Sequence, residues 1–214
     1  MKKLMIVTLI ICMIFSQLVI GYGSEGVENI QAPQNVTATL VDANGNEYEV
    51  IGRLVDTPMM LSTETETFAA TYEYEINLES EDLSLPSGDI SDSTYSVKAY
   101  NTIYWQKTQG TKGTAYKLTK VTGGWRIVDN TVSVSNCMLR YGCTGFGTND
   151  PTTTQRKEIA SVSNNFSRST GFTEYIYQEG GVMGANMTLT LERGSSSVWT
   201  LYAENNLFGV GSFW

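Results

Sequence analysis

Apolar and polar residues alternate strictly from Thr67 to Leu78. Phe68, Ala70, Tyr72, Tyr74, Ile76 and Leu78 fall on one side of an extended chain, with Thr71, Glu73, Glu75 and Asn77 on the other. A period of two marks a strand with one buried and one wet face. From Tyr95 to Asn136 the same period recurs in pieces separated by Gly, Asn or Asp, which predicts an antiparallel meander of four strands with breaks that include Gly123-Gly124. Its expected core residues are Tyr95, Val97, Ala99, Ile103 and Trp105, followed by Tyr116, Leu118, Trp125, Ile127, Val132 and Val134. Val36 to Val41 and Tyr48 to Leu54 flank Asp42-Ala43-Asn44-Gly45-Asn46, a hairpin signal because Asn and Gly accept positive φ. Phe172 to Tyr177, Ala185 to Leu191 and Val198 to Ala203 complete the pattern. Between them, Gly145 to Arg168 offers either a short helix with Ile159, Val162 and Phe166 inward, or an irregular, edge-strand path favoured by its Ser, Thr and Asn density. The sum is an all-β fold, an antiparallel β-sandwich of about ten strands, jelly-roll-like or Ig-like in arrangement.

The chain begins with Lys2 and Lys3, an apolar run from Leu4 towards Ile20, and small residues at Gly21 and Gly23. These are the three parts of a secretory signal, so residues 1–23 read as a signal peptide and 24–214 as a single domain, secreted and extracellular. An uncleaved anchor is the competing reading, but Ser16 and Gln17 interrupt the apolar run. The tail ends in Phe213-Trp214, two aromatics expected to dock onto the domain.

Tyr116-Lys117-Leu118-Thr119 followed by Gly123-Gly124-Trp125 resembles a pattern of secreted β-rich proteins of Gram-positive bacteria without characterised function. The resemblance implies export and a β-rich fold, and carries no activity with it.

Composition narrows the chemistry. The chain has no histidine, which excludes Ser-His-Asp and Cys-His nucleophile activation and HExxH zinc sites. Its 22 acids against 14 Lys and Arg give a net charge of −8. Nucleic acid is therefore not an expected partner, since binding it takes a basic surface that releases counterions. The charge is unevenly divided: residues 42–92 hold 13 acids and a single cation, Arg53, whereas residues 93–214 hold 11 cations and seven acids. Either acidic strands pair with basic ones, for example Glu73 and Glu75 opposite Lys117 or Lys120, or the acidic loops hold a cation. Asp42, Asn44 and Asn46 are the candidate calcium ligands there, with calcium the one cofactor considered. The loop departs from an EF-hand, which needs Gly at its sixth position and Glu at its twelfth, where this chain has Glu47 and Arg53.

Cys137 and Cys143 are the cysteines that remain beyond the leader, and export would permit a disulfide between them. Six extended steps span about 20 Å against the roughly 7 Å a disulfide tolerates, so the bond needs a chain reversal at Arg140-Tyr141-Gly142. Free thiols on one continuous strand are the other reading. Tyr100 and Tyr104 share one strand face and form a candidate aromatic platform for a sugar or peptide. Glu73 and Glu75, two apart on one face at about 6 to 7 Å, are a candidate carboxylate pair of the kind glycosidases use, and Glu174 with Glu179 is a second. The hairpin from Ala185 to Tyr202 has arms close to the length of a membrane strand. The expected function is a secreted, non-enzymatic module that binds an extracellular or cell-envelope partner, glycan or protein, and is not membrane-spanning once processed. A carbohydrate-active enzyme using paired glutamates is the alternative, and a secreted pore-former or antimicrobial protein a further one.

Overall fold

The computed structural model describes residues 36–62, 67–78, 95–194 and 197–210, with the side chains of 56–62 left aside. Residues 1–23, read as a signal peptide, the acidic stretch from Glu79 to Ser93, expected to be a loop, and the terminal Phe213-Trp214, expected to dock, lie outside the described residues. Eleven strands make up what is described, with no helix among them: β1 (Thr37–Val41), β2 (Glu47–Ser62), β3 (Thr67–Ile76), β4 (Val97–Gly110), β5 (Gly113–Ile127), β6 (Val132–Gly145), β7 (Thr153–Ile159), β8 (Phe166–Ser169), β9 (Ile176–Tyr177), β10 (Val182–Arg193) and β11 (Ser197–Phe208).

The all-β, antiparallel reading holds. The strands form a single path, β7-β6-β10-β11-β1-β2-β3-β4-β5-β8, with β9 added alongside β5, and this sheet curls nearly into a barrel. β2 is where the path turns. Its first residues pair with β1 through Thr37↔Ile51, and from Gly52 onward it pairs with β3. A Cβ at Gly52 would lie 2.5 Å from Val36 Cγ1 and 2.8 Å from Tyr74 Cε1, so the bend needs a residue without a side chain.

Curling brings two inner faces together over one core. Phe68, Tyr74, Ile103 and Trp105 from one half and Leu139, Met187, Leu189 and Leu201 from the other are all at most 1% exposed. Phe68 stacks on Trp105 with ring centroids 5.9 Å apart. Tyr74 spans the core, and its hydroxyl donates to Glu204 O on β11 at 2.9 Å.

Three expectations change. The meander contains two complete strands and the start of a third: β5 runs unbroken through Gly123-Gly124, and β6 leaves it to pair with β10 and β7. The glycines serve close approach rather than a turn, since a Cβ at Gly123 would meet Phe166 Cζ at 2.5 Å and one at Gly124 would meet Asn164 Oδ1 at 2.6 Å. Of the expected core residues, Tyr95, Tyr116, Trp125 and Val134 are only partly covered, and Ile127 is 41% exposed at the end of β5. The 145–168 stretch takes the edge-strand path, as β7 and β8 at the two ends of the sheet, with no helix. Phe172 to Tyr177 is a strand only at Ile176–Tyr177, because Gln155 of β7 takes over the backbone groups just before it. Its Oε1 accepts from Thr173 N at 2.9 Å, and its Nε2 donates to Glu174 O at 3.2 Å. A side-chain amide has one donor and one acceptor side, as a strand residue does, and here it stitches the seam where the barrel would close.

The disulfide is corrected. Cys137 and Cys143 are free thiols, buried on the inner face of β6 opposite Leu189 and Met183 of β10. β6 runs straight through Arg140-Tyr141-Gly142 because each of these residues keeps its partner on β10, so the reversal the bond requires does not occur.

Candidate ligand-binding face

Tyr100, Thr102 and Tyr104 lie on the outer face of β4, as the alternation predicts. The two tyrosines differ in what they can do. Tyr100 packs over Gly124, and its hydroxyl donates to Asn165 Oδ1. Asn165 takes a positive φ of 56°, in a loop whose Asn164 side chain brackets Trp125, accepting from its N and donating to its O at 2.8 Å each. Partial burial pushes the Tyr100 phenol above its ordinary pKa. Tyr100 is therefore committed to holding this loop.

Tyr104 is paired differently, because β5 carries a bulge. Tyr104 faces Lys120 and Trp105 faces Leu118, so Thr119 is an extra residue, and its hydroxyl donates to Tyr104 O at 3.1 Å. The extra residue shifts the alternation, so Lys117 and Lys120, three apart, share the outer face. Lys120 Nζ lies 4.8 Å from the Tyr104 ring centroid, and Lys117 Nζ lies 4.5 Å from that of Tyr175. Tyr175 is fixed in turn by its hydroxyl donating to Gln106 Oε1 at 3.2 Å.

At the turn into β5 the arrangement recurs, with Lys112 Nζ 5.5 Å from the ring of Phe146, which is 50% exposed. Lys112, Thr114, Phe146, Tyr177, Gln178 and Glu179 line an open pocket of about 320 Å³ there. The Tyr177 hydroxyl hydrogen bonds with Thr111 Oγ1 and accepts from Lys112 N. These bonds, the Thr111 one foremost, hold its pKa below the ordinary value.

A lysine over an aromatic face is held by the ring quadrupole without losing its charge to a carboxylate. Three cations along β5 and its hairpin are placed in this way. Sequence periodicity missed Lys117, Lys120, Tyr175 and Phe146, because the bulge that aligns the lysines breaks the period of two and the rings come from distant loops.

The carboxylate candidates are engaged elsewhere. Glu73 pairs with Lys98 at 2.8 Å and with Arg53 at 3.5 Å, and Glu75 with the same two cations at 3.3 and 3.4 Å. Lys98 is raised above its ordinary pKa, first by the hydrogen bond to Glu73. The expected acid-base pairing across strands is thus present, but its cations are Lys98 and Arg53, since the register puts Lys98 opposite Glu75 and leaves Lys117 and Lys120 beyond β3. Glu174 accepts from Asn149 Nδ2 at 2.8 Å, and Glu179 belongs to the pocket.

Asp42, Asn44 and Asn46 form the turn between β1 and β2. Asp42 Oδ1 accepts from Asn44 N at 2.8 Å and Asn46 N at 2.9 Å, and its Oδ2 accepts from Asn46 Nδ2 at 2.7 Å. These bonds, led by the Asn46 side chain, hold the carboxyl below its ordinary pKa. Both oxygens serve the turn, and among the described residues no group of three or more His, Cys, Asp or Glu side chains is placed to hold a metal ion.

The β10–β11 hairpin sits between β6 and β1 with Met187, Leu189, Leu191 and Leu201 fully buried. No helix among the described residues is long and apolar enough to cross a membrane. No family model matches the chain, and no curated protein or solved structure matches it.

Proposed function

We propose that the protein is a non-enzymatic module that acts outside the cell and binds a cell-envelope glycan carrying negative charge. The observation that supports this most is the bulge at Thr119, which sets Lys117 and Lys120 on one face, each over a tyrosine ring. A pyranose offers an apolar face to an aromatic ring, and its carboxylate or phosphate substituents would meet lysines already positioned and, among the described residues, in no ion pair with an acid. The Lys112–Phe146 pair extends the same chemistry to the hairpin pocket. The curled sheet works in this reading as a sandwich-like scaffold, with two inner faces sharing one core and the outer face of β4 and β5 left for recognition. Export follows from the leader-like residues 1–23.

A glycan array tests the reading with the intact protein and the Lys117→Ala/Lys120→Ala variant. Anionic glycans should be retained over neutral ones of equal length, and the variant should lose that preference. Equal retention by wild type and variant would contradict the proposal.

A further inference from the structure

We infer that the interior of the barrel holds a structural water site between Asn101 of β4 and Asn205 of β11. Both side chains point into the core, and both residues are 0% exposed. They answer each other across it. Asn101 Nδ2 donates to Ala185 O on β10 at 3.3 Å, Ala185 pairs with Asn205 on β11, and Asn205 Nδ2 donates back to Asn101 O at 3.0 Å. Each amide nitrogen thus faces a carbonyl oxygen. Neither amide can be turned round, because the exchange would set oxygen against oxygen.

That leaves Asn101 Oδ1 and Asn205 Oδ1 buried with no protein partner. A buried acceptor without a donor costs about 1–3 kcal/mol, so a partner is expected. The residues beside the two amides include Ala99 on the strand of Asn101 and Ala203 and Ala185 beside Asn205, all small and buried.

The ligand class follows from charge. Among the described residues the buried polar side chains are Ser, Thr and Asn, with no carboxylate. A cation would therefore be buried without a counter-charge. Water brings two donors to two acceptors and no charge, the usual occupant of such a polar internal site. The site also joins the two halves of the curled sheet, since Asn101 belongs to one and Asn205 to the other.

Water-selective NMR on the wild-type protein reads the site directly. Cross-peaks from a long-lived water to the Asn101 and Asn205 side-chain amide protons are expected, and their absence from resolved, assigned signals would overturn the proposal. Oxygen-17 relaxation dispersion on an Asn101→Leu/Asn205→Leu variant that remains folded should show the loss of at least one long-lived water, and an unchanged amplitude would count against the site. Melting in sodium, potassium or calcium chloride at equal ionic strength should coincide for the wild type. A cation-specific shift that the variant lacks would reassign the site to a metal ion and overturn the water.

Discussion

Cys137 and Cys143 both turn inward from β6, and burial pushes each thiol up to about 12. Only the thiolate reacts, so neither side chain is a nucleophile near neutral pH. Alkylation of the native protein at pH 8 should leave both unmodified, and denaturation should expose both; peptide mapping that finds them disulfide-linked would contradict the structure. Gly123 gives a second test at this scale. An added Cβ would lie 2.5 Å from Phe166 Cζ and 2.7 Å from Tyr100 O, and the second neighbour is backbone that cannot rotate away. Gly123→Ala should cost about 1–3 kcal/mol, read as a lower urea midpoint at unchanged slope. An unchanged midpoint would mean that Phe166 does not pack there. Neither result was legible in the sequence: a pair of glycines reads equally well as a turn or as a place of close approach, and only the partner strand decides.

Among the elements, strands with a clean period of two were legible. Thr67 to Leu78 has every predicted inward residue buried, because β3 is paired on both sides and one face is sealed by the core. The Asp42–Asn46 turn was legible for a local reason, the Asx bonds that Asp42 makes within its own loop. The edges were not. β7 and the segment 170–174 are joined by Gln155, and by Lys157 Nζ donating to Thr170 O at 2.6 Å, contacts between residues 13 to 19 apart that no local pattern encodes. If Gln155 holds the seam, Gln155→Leu should leave the global unfolding transition nearly in place while speeding hydrogen exchange at the Thr173 and Glu174 amides by about tenfold or more. Equal exchange in both proteins would assign the seam to other contacts. The bulge at Thr119 was hidden for the related reason that an extra residue breaks the alternation used to read the face.

For the whole molecule, the division of charge is bridged, among the described residues, by Lys98 set against Glu73 and Glu75. Glu73 and Glu75 meet Arg53 and Lys98 on the outer face of the sheet, and Arg193 at the end of β10 pairs with Asp129 while donating to Leu78 O at 3.2 Å. Asp129 is held below its ordinary pKa, first by the Thr131 backbone N–H. A carboxyl with a lowered folded pKa adds stability above its unfolded value, about 3.9, and loses it as pH falls through the folded one. Stability should therefore drop below about pH 4, and Asp129→Asn should flatten part of that drop; superimposable acid limbs would contradict the assignment. The lysines left over rings, Lys117 and Lys120, are what carry the functional reading. NMR titration of the protein with a short oligogalacturonate tests it most directly. The account predicts shifts concentrated at Tyr104, Lys117, Lys120 and Tyr175 that fade as salt is raised. Saturable shifts that leave these four residues untouched, or no shift at millimolar ligand in low salt, would contradict it.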